Sequence, residues 1–573
     1  CGTRRPEPER KAATMIHMPD AGNASKAIMK RGRRLVTAAA AACCALAMLA
    51  GCGSAGGASD AQATRDSAIT VNGTEPTKGL IPSNTNDMAG WRIVSLIYDG
   101  LVTFDDSGNL EYVEAKSITP NKDATEYTIT LKPNLKFSNG EKITASTYAK
   151  SWSFAANAAN GQVGASTFAT IKGYDELQNA KCDRNAQLSG LHVVNDTTLK
   201  VELNQPDSSF PYKVGDIAFL PISSKAIKDP ETYGKKPIGN GPYKVKSWTV
   251  NEDLELEKDP SYNGPRKPKN NGIDFRVYQS LNAAYSDLLA GNLDVVDSIP
   301  TVALSSYRKE SRIKAVNRRG PSFVSFTIPQ NLKHFQGEEG RLRREAISRA
   351  IDRESIAKAI FRGTVTPATD FLAPVIKGYS TKLDADGVLT YDADKARDLW
   401  RKADAISPWS GTFRIAYGAD ASDKEWVDAT VNSIRNVLGI DSQSYPFSTS
   451  KELSSAINER KVGAAFKSGL QSDYPHPEGY LVQGYDSSQA DGKGLNNGDY
   501  KSAEFDALID KASAQPDLDK AVATYQEAQK VLLKDLPVIP LWYKNVTAAA
   551  GRHVNADFNY MGVPDYVNIT KSH

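Results

Sequence analysis

LDKAVATYQEAQKVLLKDLPVIPLWY, residues 518–543, decides the fold class. Leu518, Ala521, Val522, Tyr525, Ala528 and Leu532 recur at three- and four-residue spacing, the stripe of a helix that buries one face. Pro537 stops that helix, because proline lacks the backbone N–H and its ring clashes with the preceding turn. Val538 to Tyr543 then reads as a strand returning into a core. A helix that feeds directly into a buried strand is a unit of α/β architecture.

Working outward, the same alternation runs from Ala68 onward. Helical spacing marks Leu342 to Ala350, Ser355 to Phe361 behind an Asp352 cap, Ala393 to Ala403 behind Asp392, and Phe505 to Ala512. Tyr127, Ile129 and Leu131 alternate as in a half-buried strand; Leu135 and Phe137 continue that pattern, and Asn139-Gly140 supplies a turn. Thr144 is placed to cap a helix that buries Trp152 and Phe154. No internal repeat is present. A chain of 573 residues predicts about two to four domains.

The N-terminal region reads differently. Lys30, Arg31, Arg33 and Arg34 precede an apolar run from Leu35 to Ala50, which ends in Leu49-Ala50-Gly51-Cys52. This is the order of a secretory signal, and the run is short for a membrane span, which needs about 20 apolar residues. Leu-Ala-Gly-Cys resembles a bacterial lipobox, which makes Cys52 the expected lipid anchor and 29–51 the signal peptide. Residues 1–28 begin with cysteine and show no apolar periodicity, so they are read as upstream sequence or a misassigned start. Residues 52–67, rich in Gly, Ala and Ser, have the composition of a flexible tether.

Of the five cysteines, only Cys182 remains as a possible thiol in the body, so no disulfide can form there. The core alone must hold the fold, which is feasible because chains of this size bury about three quarters of their surface. Of 70 Lys/Arg and 67 Asp/Glu residues, 9 and 3 precede Cys52, so the chain from Cys52 onward carries 61 against 64, a net of −3. That balance gives no reason to expect nucleic acid. Motifs for metalloprotease, serine hydrolase, phosphate-binding and Cys-x-x-Cys chemistry are absent. His192, His334, His476, His553 and His573 lack the spacing of a helical metal site. No catalytic residue, cofactor or metal is therefore expected. Scattered carboxylates leave a glycosidase pair open, although solvated surface acids are the commoner meaning of such residues.

Several segments occur in a telling order: Glu75-Pro76 with Leu80-Ile81-Pro82, Ile97-Tyr98-Asp99-Gly100-Leu101, Gly239-Asn240-Gly241-Pro242-Tyr243, Ala290-Gly291-Asn292-Leu293-Asp294, Arg344 to Arg353, Asp473-Tyr474-Pro475-His476-Pro477 and Leu536 to Leu541. Together they resemble the peptide/nickel class of extracytoplasmic solute-binding proteins, the oligopeptide- and dipeptide-binding components of ABC importers (family 5), over Ala68 to Val567. Three departures stand out. Leu80-Ile81-Pro82 replaces a frequent Leu-Asp-Pro, Ala145-Ser146-Thr147-Tyr148 replaces Ala-x-Asp-Val, and Leu470 replaces a Trp. The first two concern packing and capping, whereas the third lies beside the expected ligand.

The resemblance implies a two-lobed periplasmic-binding-protein fold (type II), α/β, with an additional inserted domain and a hinge between lobes. Carried over, lobe I combines 68–110, 221–300 and 536–567; the inserted domain is 111–220 and lobe II is 301–535. The implied function is capture of short peptides and delivery to the permease and ATPase subunits of an importer. The protein would work as a monomer on the outer face of the plasma membrane, touching the membrane through its lipid anchor only. An extended peptide would be held through its backbone, with Asn86 and Met88 on one side and backbone groups of Gly469 and Gln471 on the other. In the family an acidic residue of a Gly-x-x-x-Asp segment pairs with the peptide's amino terminus, which here matches Gly469 to Asp473; alternatively, Asp473 caps the turn into Tyr474-Pro475. The same fold binding an oligosaccharide or a metal chelate is a second reading, and a surface hydrolase or adhesin a third.

Overall fold

Two long antiparallel strands, Ile313–Thr327 and Val538–Gly551, run through the middle of the molecule and belong to two hydrophobic cores at once. The computed structural model describes residues 68–105 and 107–572; residues 1–28, the expected signal peptide 29–51, Cys52 and the expected tether fall outside the described residues. Ile313 to Arg319 pair with Gly551 to Asn545, and after an irregularity Phe323 to Thr327 pair with Tyr543 to Val538. A second register shift falls at Ser325 opposite Pro540. Proline cannot donate to a sheet ladder, and a bulge is where a strand tolerates one.

The preceding helix spans Leu518–Asp535 and ends with Leu536 in the left-handed region at φ 45°, its N–H bonded to the Leu532 carbonyl. Val538 to Tyr543 are all buried, as expected for a strand covered on both faces. The helices Gly337–Arg349, Arg353–Phe361, Ala393–Ile406 and Ala503–Ser513 also form where the spacing placed them. Asp352 accepts from the Ser355 amide and Asp392 from the Lys395 amide, so both caps are real.

Around the crossing strands lies one continuous sheet of eleven strands. On one side Phe413–Gly418 pairs in parallel with Ser442–Phe447 and with Ala465–Leu470. On the other, Ile69–Gly73 pairs in parallel with Gly272–Val277. One core gathers Phe323, Trp400, Trp426 and Trp542; another gathers Ile69, Ile97, Phe275 and Tyr566. A third core, with Tyr148, Trp152 and Phe219, packs under a separate four-stranded antiparallel sheet of residues 115–202. The result is the expected two-lobed α/β body with an additional domain.

In that third core, Glu126–Leu131 is a strand and Ala145–Ala156 a helix. Thr144 and Thr147 form a reciprocal capping box, so Thr147 carries out the capping that an acidic residue would otherwise supply. Leu135 and Phe137 do not extend a strand. Asn134 takes φ 62°, which turns the chain, and only an isolated bridge between Lys136 and Lys142 follows.

The paired motifs at 97–101 and 239–243 lock together. A Cβ on Gly239 would stand 1.7 Å from the Ile97 carbonyl oxygen, and one on Gly241 2.7 Å from that of Leu96. Asn240 donates to the Asp99 carbonyl at 2.9 Å and to the Glu114 carboxyl at 2.8 Å, and the Tyr148 hydroxyl reaches Glu114 at 2.5 Å. Burial pushes the pKa of Glu114 up to about 8, with the charge of Asp99 adding to it against these hydrogen bonds. A raised carboxyl pKa adds stability below its unfolded value, and that stability is lost as pH rises through the folded value. Between pH 7 and 8.5 the protein is therefore expected to lose about 1 kcal/mol through this group. Glu114→Gln, which keeps both hydrogen-bonding ends, should flatten that slope in urea unfolding; an unchanged slope would show that Glu114 is not its source.

Candidate functional site

A cavity of about 710 Å³ opens where several stretches of the chain meet. Its wall includes Trp91 and Asp99 to Asp105, the turn at Gly215 to Ile217, Asp473, and the segment around Tyr560 and Asp565. Its size falls within the range of small-ligand sites.

Asp473 lies in the turn between the strand Ala465–Leu470 and the helix Glu478–Tyr485. The turn is held on either side of it. Ser472 and Tyr474 to Tyr480 are buried, Tyr480 donates its hydroxyl to the Pro321 carbonyl at 2.5 Å, and Tyr560 donates to the Asp473 carbonyl at 3.4 Å. Gly479 leaves room for Ser472, since a Cβ there would fall 1.9 Å from its hydroxyl. The Asp473 carboxylate itself has no hydrogen-bond partner among the described residues, and it does not cap the turn; the Ser472 hydroxyl accepts from the Tyr474 amide instead. Although Asp473 is solvent-accessible, the surrounding protein still desolvates its carboxyl and raises its pKa.

Asp216 lines the same cavity. It accepts from the Ala218 amide at 2.7 Å, and burial, followed by the negative charge of Asp473, pushes its pKa up to about 6. Asp99 is differently engaged. It receives the Arg266 guanidinium at 2.7 Å and the Tyr262 hydroxyl at 2.6 Å. Arg266 also donates to the carbonyls of Ser95 and Tyr98, so it serves as a strut for the end of the helix Met88–Ile97.

Of the five residues expected to contact ligand, Asp473 alone is among those lining this cavity. Asn86 and Met88 are exposed at the start of the helix Met88–Ile97, one turn before Trp91, which does line it. Gly469 lies opposite Val324 in the sheet, where a Cβ would stand 2.6 Å from the Phe323 carbonyl oxygen. With Leu470 it borders a smaller cavity of about 140 Å³. The Gln471 amide oxygen accepts from the Ser322 hydroxyl. Asp216, Phe104 and Tyr560 carried no sequence signal. Each comes from an irregular stretch or a short strand, and only the fold brings them together.

Comparison with known proteins adds four findings. The model of the bacterial extracellular solute-binding proteins, family 5 (middle), matches residues 110–492. The oligopeptide-binding protein OppA of Bacillus subtilis is 23% identical over 526 residues, 87% of this chain and 92% of the relative. The glutathione-binding protein GsiB of Salmonella typhimurium is 24% identical over 505 residues, 86% of this chain and 92% of the relative. Among solved structures, the periplasmic murein tripeptide-binding protein MppA in its unliganded open form superposes with a TM-score of 0.76 at 20% identity, over 88% of this chain and 97% of that one.

Proposed function

Because the chain belongs to the bacterial extracellular solute-binding proteins of family 5, we propose that it captures short peptides in the cleft lined by Asp473 and delivers them to an ABC importer. The observation that carries this reading is the unpartnered Asp473 carboxylate in a cavity of ligand size. A peptide's amino terminus is protonated at neutral pH, and its charge cannot be buried favourably without a counter-ion. Asp473 supplies one at a fixed place while leaving the side chains free to vary. The relatives named above for oligopeptide and glutathione binding support the same ligand class. In this proposal 68–110, 221–300 and 536–567 act as lobe I, 111–220 as the inserted domain and 301–535 as lobe II. The lobes close on the ligand by bending at the crossing strands, and the importer reads the closed state. Asn86, Met88, Gly469 and Gln471 join the peptide contacts on closure.

The proposal also places the protein at the outer face of the plasma membrane as a monomer, held by an acylated Cys52. Among the described residues no helix is long and apolar enough to cross a membrane. Thermal-shift measurements on the purified protein with di- to pentapeptides, oligosaccharides and Ni²⁺ test the function. Peptide at a hundred times its Kd should add about 2.7 kcal/mol of stability. Stabilisation by sugars or metal alone would overturn the peptide reading. In the same preparations, partition of the wild type but not Cys52→Ala into detergent tests the anchor, and a freely soluble wild type would refute it.

A further inference from the structure

The chain around Asp216 seats it firmly. Its bond from the Ala218 amide fixes it at the head of the short turn Ile217–Phe219. Beside it Gly215 has no space for a side chain, since a Cβ there would lie 2.6 Å from the Phe104 ring. Phe104 meets Tyr560 edge-on with ring centroids 5.8 Å apart, and both rings line the cavity with Asp216 and Asp473.

Two independent features thus favour positive charge in one space. Carboxylates attract it directly, and aromatic faces attract it through their quadrupole. The wall supplies no cation to answer them. Among the described lining residues the only lysine or arginine is Arg266, and its guanidinium is taken up by Asp99 and by two carbonyls at the end of the helix. The α-ammonium of one peptide satisfies one carboxylate. Closure would bury the other, Asp216, further with only the Ala218 amide beside it, unless the ligand brings a second charge.

We propose that Asp216 is a specificity residue, selecting peptides whose first residue is lysine or arginine by pairing with that side chain while the α-ammonium pairs with Asp473. The inference rests on the peptide-receptor reading and names the peptide class within it. Lysine and arginine both suit the place. Their aliphatic stems can lie along Phe104 and Tyr560 while the charged head reaches the carboxylate. Burial, followed by the negative charge of Asp473, disfavours the charged form of Asp216, and a ligand cation beside it would offset part of that cost.

Calorimetry with Lys-Ala-Ala, Arg-Ala-Ala, norleucine-Ala-Ala and 1,5-diaminopentane, on the wild-type protein and on Asp216→Asn, tests it. Asparagine keeps an oxygen for the Ala218 amide, so the turn stays capped, and an unchanged melting temperature verifies folding. In the wild type the two basic peptides should bind about tenfold or more tighter than the norleucine peptide, and in the variant that ratio should fall to within about twofold. Equal affinities in the wild type would overturn the inference, as would an equal loss for every peptide in the variant. Diaminopentane binding as tightly as Lys-Ala-Ala would also overturn it, because the site would then read two amines and no peptide. If no peptide bound at all, the receptor reading itself would fall; peptide binding without charge preference would strike only at Asp216.

Discussion

Replacing Asp473 with asparagine is expected to weaken binding of peptides with a free amino terminus by roughly thirtyfold or more. The variant is nearly isosteric, so the turn between Ser472 and Tyr474 keeps its packing. In the empty protein the carboxylate has no hydrogen bond to lose, and desolvation already disfavours its charge. The melting temperature of the ligand-free variant should accordingly hold or rise slightly. With peptide bound the balance reverses. The α-ammonium, withdrawn from water, would face an amide in place of a full charge, which is the situation in which truncating one member of a desolvated pair costs most. A second effect should appear at Asp216. Without the neighbouring negative charge its pKa should drop from about 6 toward the ordinary carboxylate range, which carboxyl-resolved NMR titration can follow. Equal peptide affinity in wild type and variant would remove Asp473 from the site.

Loss of Lys213 is expected to be strongly destabilising, at about 3–5 kcal/mol for Lys213→Ala. Its ammonium lies 2.8 Å from Asp207 and 3.1 Å from Glu478, and both carboxylates are buried. Burial alone would lower the pKa of Lys213, but the two negative charges more than offset this and hold it well above its ordinary value. The surrounding bonds are made for the charged arrangement: the Ser209 amide and hydroxyl reach Asp207 at 3.0 and 2.5 Å, and the Tyr474 hydroxyl reaches Glu478. Taking out the one cation leaves two carboxylates facing each other in a dry place. Lys213→Met with Asp207→Asn and Glu478→Gln should recover most of the loss in urea unfolding. Failure of that triple variant to recover would show that unbalanced charge does not set the cost. Because Glu478 stands five residues after Asp473, the same cluster anchors the far end of the turn that carries Asp473 to residues 207–213.

How far the sequence could be read follows from what each element asks of its residues. Helices with a side-chain cap and a full apolar stripe, such as those after Asp352 and Asp392, were legible because both signals are local. The strand from Val538 was legible only to Tyr543. Its second half, Lys544 to Gly551, ends in Ala548, Ala549 and Ala550, which are fully buried yet lack the β-branched character that marks a strand. Its partner, Ile313–Thr327, is interrupted by Asn317-Arg318-Arg319-Gly320-Pro321, which breaks the strand pattern; pairing along the sheet overrides local preference there. Leu135 and Phe137 show the opposite error, an alternating pattern cut short by one left-handed asparagine. The motifs at 97–101 and 239–243 were visible as markers of the family, but their purpose, backbones meeting at distances only glycine permits, emerges only from the fold. Asp473 was singled out from a five-residue segment, and the fold puts it on the wall of the cavity. Asp216, at the head of a three-residue turn, looks like any turn aspartate until Asp473, 257 positions later, is brought to the same cavity.

The most direct test compares free and N-acetylated forms of one tripeptide by calorimetry on the wild-type protein at neutral pH. Acetylation removes the charge and leaves the rest of the backbone intact. The account predicts that the acetylated form binds roughly thirtyfold weaker or not measurably, and that this penalty largely disappears in Asp473→Asn. Equal affinity of the wild type for the two forms would contradict it.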